Sequence, residues 1–159
     1  MKYDNSKIKK QSHLLDEATA RKLLKNAEYG IFSLQAEDGG AYGIPVSYVW
    51  DGAEAVYIHC AKEGRKINFL KLCNKVSLCA VGKTNVLSSK FTTEYESIIL
   101  EGKAYTGLSK KERMKALELI LDKFSPNDKE VGMKYAARFF DETEIIKMEI
   151  GLWSGKAKR

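Results

Sequence analysis

At 159 residues, 44% hydrophobic and 30% charged, the chain is sized for one domain with a real core, and two prolines with no low-complexity run argue against long disordered stretches. Its net charge of +6 attracts anions in general, yet the cations are spread along the chain and densest near the ends, so residues 1–12 and 156–159 read as flexible tails rather than as a nucleic-acid surface. No apolar run approaches the ~20 residues that span a bilayer, no apolar segment follows the first residues as in a secretion signal, and Cys60, Cys73 and Cys79 lack CxxC spacing, which together point to a reducing cytoplasm without membrane span, disulfide framework or metal site.

Asp16 to Ala27 reads as a helix, with Asp16 as its N-cap and Ala20, Leu23, Leu24 and Ala27 on one face. Tyr29 to Gln35 is strand-like, and Glu37-Asp38-Gly39-Gly40 is a turn. The clearest strand follows. Tyr42, Ile44, Val46, Tyr48 and Trp50 fall on one face, and Gly43, Pro45, Ser47 and Val49 fall on the other. Pro45 cannot donate to a ladder, so it marks an edge or an irregularity. Asp51-Gly52 predicts a hairpin into a partner strand over Ala53 to Ala61.

Gly64 to Cys73 is a short helix, with Ile67, Leu70 and Cys73 facing inward. Val76 to Val81 and Ser97 to Thr106 are strands, and Gly102 inside the second predicts a bulge or a close approach. Ser109 and Glu112 make a capping box for a helix whose apolar stripe is Met114, Leu117, Ile120, Leu121 and Phe124. Asn127 and Glu130 repeat the pattern for a helix through Phe139, and Thr143 to Trp153 closes the chain as a strand. Strands joined by tight turns, without regular crossover helices, predict a mainly β protein: a small six-stranded antiparallel barrel with peripheral helices.

Gly64-Arg65-Lys66 opens a helix with two cations. The macrodipole opposes cations there, so the run is either a solvated basic turn or a cradle completed by an anion. His59 ends a strand and is either a histidine bonded to backbone or a ligand neighbour able to donate a proton. Ser47 shares a small-residue face with Gly43 and Pro45, either close sheet packing or a groove for a flat ligand. Phe91 to Ser97 is a polar, aromatic connection whose hydroxyls can meet a phosphate. Trp153 is a core plug or a ring that stacks on a ligand. No Ser/His/Asp arrangement, nucleophile elbow or GxGxxG fingerprint is present, so redox chemistry would require a bound cofactor.

The runs Gly43-Ile44-Pro45-Val46-Ser47-Tyr48, Tyr57-Ile58-His59-Cys60-Ala61 with Gly64 and Lys66, Val81-Gly82-Lys83-Thr84, Lys90 to Ile98, and Trp153-Ser154-Gly155-Lys156-Ala157 together resemble the flavin-binding split-barrel superfamily, near its nitroimidazole-resistance (Nim) and pyridoxamine 5'-phosphate oxidase-related branches. The resemblance covers Leu15 to Lys158. It implies a homodimeric split barrel with FMN at the subunit interface. By position, Val46, Ser47 and Tyr48 would line the isoalloxazine, with His59, Cys60 and Ala61 beside it. Lys66, helped by Arg65, would hold the phosphate. Ser97 and Trp153 would contribute from either subunit, and His59 would be the catalytic residue. True pyridoxamine phosphate oxidases grip their substrate with a C-terminal arginine and histidine, whereas the only histidines here are His13 and His59 and the end is Gly155-Lys156-Ala157-Lys158-Arg159, which argues against vitamin B6 oxidation. The implied function is an FMN-dependent oxidoreductase that takes electrons from NAD(P)H to a small acceptor, a nitro-aromatic among the candidates. The alternative is a non-catalytic flavin-binding or sensing protein. A nucleic-acid-binding barrel is disfavoured, because the strands show no row of exposed aromatics with interleaved cations.

Overall fold

A computed structural model describes all residues from Met1 to Arg159. In chain order the elements are β1 (Lys2–Tyr3), α1 (Glu17–Asn26), β2 (Tyr29–Gln35), β3 (Ala41–Ser47), β4 (Val49–Trp50), β5 (Ala55–Ala61) and α2 (Arg65–Leu72). They continue as β6 (Lys75–Leu87), β7 (Thr92–Tyr105), α3 (Lys110–Phe124), α4 (Lys129–Arg138) and β8 (Thr143–Lys158). No helix is long and apolar enough to cross a membrane.

The strands form one sheet in the order β3-β2-β6-β7-β8-β5-β4, antiparallel throughout, with β1 added in parallel to β8. The two ends of that path, β3 and β4, are separated along the chain by Tyr48 alone. The segment 41–50 therefore joins both ends of the sheet. Its first half pairs with β2 and its last two residues pair with β5. The ring is closed by covalent backbone rather than by a ladder, which is the geometry of a split barrel. Six strands were expected and eight are present, because the expected strand Tyr42–Trp50 divides at Tyr48 and β1 is extra.

Tyr48 divides the strand because its polar groups are used elsewhere. Its side chain is fully buried, and its hydroxyl donates to the Leu24 carbonyl at 2.9 Å. Its carbonyl accepts from Lys123 Nζ at 2.8 Å, and the same ammonium donates to the Ala27 carbonyl at 2.6 Å. Lys123 thus ties the kink to the end of α1, with its charge 4.3 Å from the Tyr48 ring centre. Replacing Lys123 with Met leaves both carbonyls without this donor, and an expected loss of about 1–3 kcal/mol can be read from urea unfolding. Burial pushes the ammonium down to about 8, against the pull of Glu28. The unfolded chain then holds more protons between pH 8 and the ordinary lysine range, so stability rises with pH there. Lys123→Met should abolish that rise, and an equal slope in both proteins would contradict the assignment.

The barrel interior is filled by Phe32, Ile58, Leu78, Ile98, Leu100, Met148 and Trp153, closed by Leu23 and Leu24 of α1 and Ile67 and Leu70 of α2. A second, smaller core lies outside the barrel, where Ala116 and Leu117 of α3 cover Ala55, Tyr57 and Ile145. The caps of α1 and α3 form as expected. Asp16 Oδ1 accepts from Thr19 N at 2.9 Å, and Ser109 Oγ accepts from Glu112 N at 3.2 Å. The Glu112 carboxylate does not return to Ser109. It accepts from the Tyr57 hydroxyl and pairs with Lys147, pinning α3 to β5 and β8.

Several boundaries differ from expectation. β6 and β7 run on as a hairpin arm, pairing Thr84–Leu87 with Thr92–Tyr95, so most of the expected connection Phe91–Ser97 is strand. That arm has no buried face and hence no period-two hydrophobic signal. The expected tails are partly paired. Lys2 and Tyr3 lie beside Leu152 and Trp153, while Lys156 and Lys158 lie beside Ser97 and Tyr95. Asn127 caps nothing. It sits in a 3-10 turn, and α4 starts at Lys129, whose ammonium is held 2.9 Å from Glu118 and 2.7 Å from Asp122.

Candidate functional site

β5 pairs with β4 through Val49 opposite Tyr57 and Trp50 opposite Val56. Continuing that register would set Ser47 opposite His59 and Pro45 opposite Ala61. Instead β3 swings to β2, with Ser47 opposite Tyr29 and Pro45 opposite Ile31, while β5 continues along β8 as far as Ala61 opposite Thr143. Two strand edges therefore face each other across a wedge, and each carries backbone groups that lack a ladder partner on that side. Pro45 on one edge has no N–H to leave orphaned, which suits it to this position.

The wedge is a cavity of about 600 Å³. One wall is Ile44, Pro45, Val46 and Ser47, and the other is His59, Cys60 and Ala61. Lys66 stands at the α2 end, Tyr135 of α4 and Phe139 just after it reach in, and Glu142 and Thr143 complete the lining. His59 and Ser47 are exposed to it, whereas Cys60 and Lys66 are half-buried. Burial pushes the Cys60 thiol up, with Lys66 pulling down and Glu144 adding to the rise. Cys60 is thus a protonated packing group at neutral pH rather than a nucleophile. No three His, Cys, Asp or Glu side chains converge as a metal site.

The α2 end presents groups of the kind an anion meets. Gly64 precedes the helix at φ 130°, a conformation that side chains rarely adopt, and an added Cβ there would meet nothing within 4 Å. Ile67 N and Asn68 N both donate to the Gly64 carbonyl, at 3.0 and 3.1 Å. The amides of Arg65 and Lys66 are left as the orphan donors of the first turn, and the Lys66 side chain lies on the cavity. Arg65 turns the other way, its guanidinium 4.5 Å over the Tyr42 ring and 5.6 Å over Phe69.

Of the residues singled out from the sequence, Val46, Ser47, His59, Cys60, Ala61 and Lys66 line this one cavity. The others lie elsewhere. The Tyr48 ring is completely buried against α1 and does not line this cavity. Trp153 is 1% exposed, 4.6 Å from the Tyr3 ring in an edge-on contact, so it is the core plug of the two expected roles. Arg65 is outside the cavity, and Ser97 lies on the outer face of β7 between Val81 and Lys156. Sequence reasoning missed Tyr135, Phe139, Glu142 and Thr143. The first two carried a usable signal, since they are aromatics four positions apart at the end of the expected helix through Phe139.

Residues 16–157 match the family described as pyridoxamine 5'-phosphate oxidase. No curated protein sequence matches the chain. Among solved structures, a candidate 5-nitroimidazole antibiotic resistance protein from Bacteroides thetaiotaomicron is similar at 17% identity and TM-score 0.72, covering 91% of this chain and 86% of that one. A flavocytochrome from Azotobacter vinelandii is similar at 18% identity and TM-score 0.75, covering 91% and 68%. An FAD-binding protein from Mesorhizobium loti is similar at 17% identity and TM-score 0.67, covering 91% and 96%. At these identities the likeness is one of fold.

Proposed function

The chain belongs to the pyridoxamine 5'-phosphate oxidase family, and from that premise we propose that it is an FMN-dependent oxidoreductase, taking electrons from NAD(P)H to a small acceptor, with nitro-aromatics among the candidates. The observation that carries the reading is the convergence of two unpaired strand edges on an anion cradle. A flat ring fits between β3 and β5, where free backbone groups can meet its polar edge, and a phosphate fits at Lys66 and the amides of Arg65 and Lys66. The cavity volume lies within the range of about 300–1,000 Å³ usual for cofactor sites. Similar folds in a flavocytochrome and an FAD-binding protein are in keeping with a flavin.

When bound, the flavin supplies the electron transfer that no side chain here can supply. The chain's own residues do the rest. Lys66 neutralises the phosphate, Val46 and Ser47 hold one edge of the ring site, and Cys60 packs as a neutral thiol. His59, exposed at the cavity wall, can give a proton to the reduced acceptor.

The same reading includes a homodimer in the cytoplasm. Pro45, Ile31, Cys79 and Ile99 stand side by side on four adjacent strands, and Ile31 and Ile99 are 38% and 44% exposed. A second copy would cover that row. The cleft opens beside it, because Pro45 belongs to both, and Ser97 lies two residues from Ile99 on the same face. Ser97 would then stand at the subunit seam. The three cysteines are free, which suits a reducing compartment.

The test is the visible absorption of the purified protein, before and after reconstitution with FMN, followed by NADH and NADPH oxidation with a panel of acceptors. A bound flavin and acceptor-dependent turnover are expected. A protein that stays colourless with both FMN and FAD would sink the flavin assignment. A flavoprotein that never oxidises either nicotinamide would leave only the binding or sensing role.

A further inference from the structure

Helix α4 meets a core only through half-buried Ala136, which packs against the smaller cluster under α3. None of its residues is buried. It is fastened to α3 through the Lys129 ion pairs and through Gly132, where an added Cβ would come 2.5 Å from Leu121 Cδ2. A ten-residue helix is marginal by itself, so packing normally decides whether it persists. Here the close approach at Gly132 sets α4 so that Tyr135 and Phe139 project toward the cleft.

These two rings are paired with each other and with nothing in either core. Their centroids are 4.5 Å apart at 44°, and neither residue belongs to the barrel interior or to the cluster under α3. Tyr135 remains 66% exposed. Large aromatic surface held beside a concave site, rather than folded against the core, is the arrangement by which proteins hold flat rings. Ser47 on the β3 edge and His59 on the β5 edge line the same cleft. Glu142 and Thr143 add polar groups to the lining, Thr143 lying opposite Ala61 at the end of β5.

We propose that Tyr135 and Phe139 form the specificity wall of this cleft, selecting a second ligand that presents a planar six-membered aromatic ring. The proposal rests on the flavin reading only for what lies beneath that ring, and the wall itself is independent of it. The ring belongs either to the acceptor or to the nicotinamide in the oxidised form left once the donor has given up its hydride, since both are planar aromatic rings. Selection acts through ring-to-ring contact, so a saturated ring of the same size should be rejected.

The experiment is an NMR titration of the purified full chain with benzyl alcohol, cyclohexylmethanol and nicotinamide, repeated on the Tyr135→Leu/Phe139→Leu double variant. Leucine keeps apolar bulk and helix propensity, and a thermal melt checks that the variant is folded. Binding of benzyl alcohol or nicotinamide about tenfold tighter than cyclohexylmethanol is expected, with the preference lost in the variant. Benzyl alcohol favoured alone would identify the acceptor as the source of the ring, and nicotinamide favoured alone the donor. Equal binding of saturated and aromatic rings, or a preference that survives in the double variant, would overturn the proposal. So would a fall of FMN affinity in step with the lost aromatics, because the wall would then grip the cofactor. A protein that takes up no flavin yet keeps the Tyr135- and Phe139-dependent preference would sink the flavin reading and leave this one standing.

Discussion

Replacing Lys66 with Ala should weaken FMN binding by about 10- to 100-fold, the usual worth of a hydrogen bond to a charged group. The same change should leave the apoprotein as stable as before, or slightly more stable. The opposite signs follow from position. Lys66 is the second residue of α2, where the helix dipole disfavours a cation by a few tenths of a kcal/mol unless an anion is present. Without ligand the side chain is a mild burden, and with phosphate it becomes the main partner. Lys66→Arg should retain much of the affinity, since the charge stays beside the Arg65 and Lys66 amides. Flavin fluorescence quenching gives the affinity, and thermal melts of the apoprotein give the stability. Unchanged FMN affinity in Lys66→Ala would remove the phosphate from this helix, and a large loss of apoprotein stability would make Lys66 structural instead.

The largest effect on folding is expected at Gly102. The register between β7 and β8 shifts there, with Glu101 opposite Leu152 but Gly102 opposite Ile150. At that bulge the backbones come so close that an added Cβ would lie 1.9 Å from the Glu149 carbonyl oxygen. Neither side can yield, because the atom met is backbone in a paired strand rather than the end of a flexible side chain. Gly102→Ala should therefore destabilise the protein by about 3 kcal/mol or more, beyond ordinary overpacking. Gly151, the extra residue of the same bulge, is the control. A Cβ there would make an ordinary 3.6 Å contact with the Glu101 carbonyl, so Gly151→Ala should change stability by less than about 1 kcal/mol. Urea unfolding of both variants decides the matter, and similar losses at the two glycines would contradict the geometry.

Gly102 was legible in the sequence because a glycine inside a strand pattern has few reasons to be there. Asp16, Ser109 and the Asp51-Gly52 hairpin were legible for the same kind of reason. Each acts through backbone groups within a few residues, as when Asp51 Oδ1 accepts from the amides of Ala53 and Ala55. Asn127 failed because a capping pattern states only what a side chain could do. The start of α4 is instead fixed by ion pairs to α3, and no local pattern reports those. Tyr48 and Trp153 depended on their tertiary neighbours. The resemblance implied Tyr48 beside the isoalloxazine and Trp153 as a contributor, and the structure turns both rings inward, where α1 and Tyr3 cover them.

The candidate site divides along the same line. The alternation of Tyr42 to Trp50, the strand ending at His59, and the glycine and cations opening α2 could all be read from the chain, because they depend on neighbours in sequence. That the segment 41–50 would part from β5 at Tyr48 could not be read. The parting depends on Lys123, 75 residues away, withdrawing the Tyr48 carbonyl from the ladder. Nor could the aromatic wall, whose place is set by the approach of Gly132 to Leu121 across two helices. Short-range hydrogen bonding and periodicity made the strand and helix pieces of this site, whereas the gap between them exists because long-range contacts hold β3 and β5 apart.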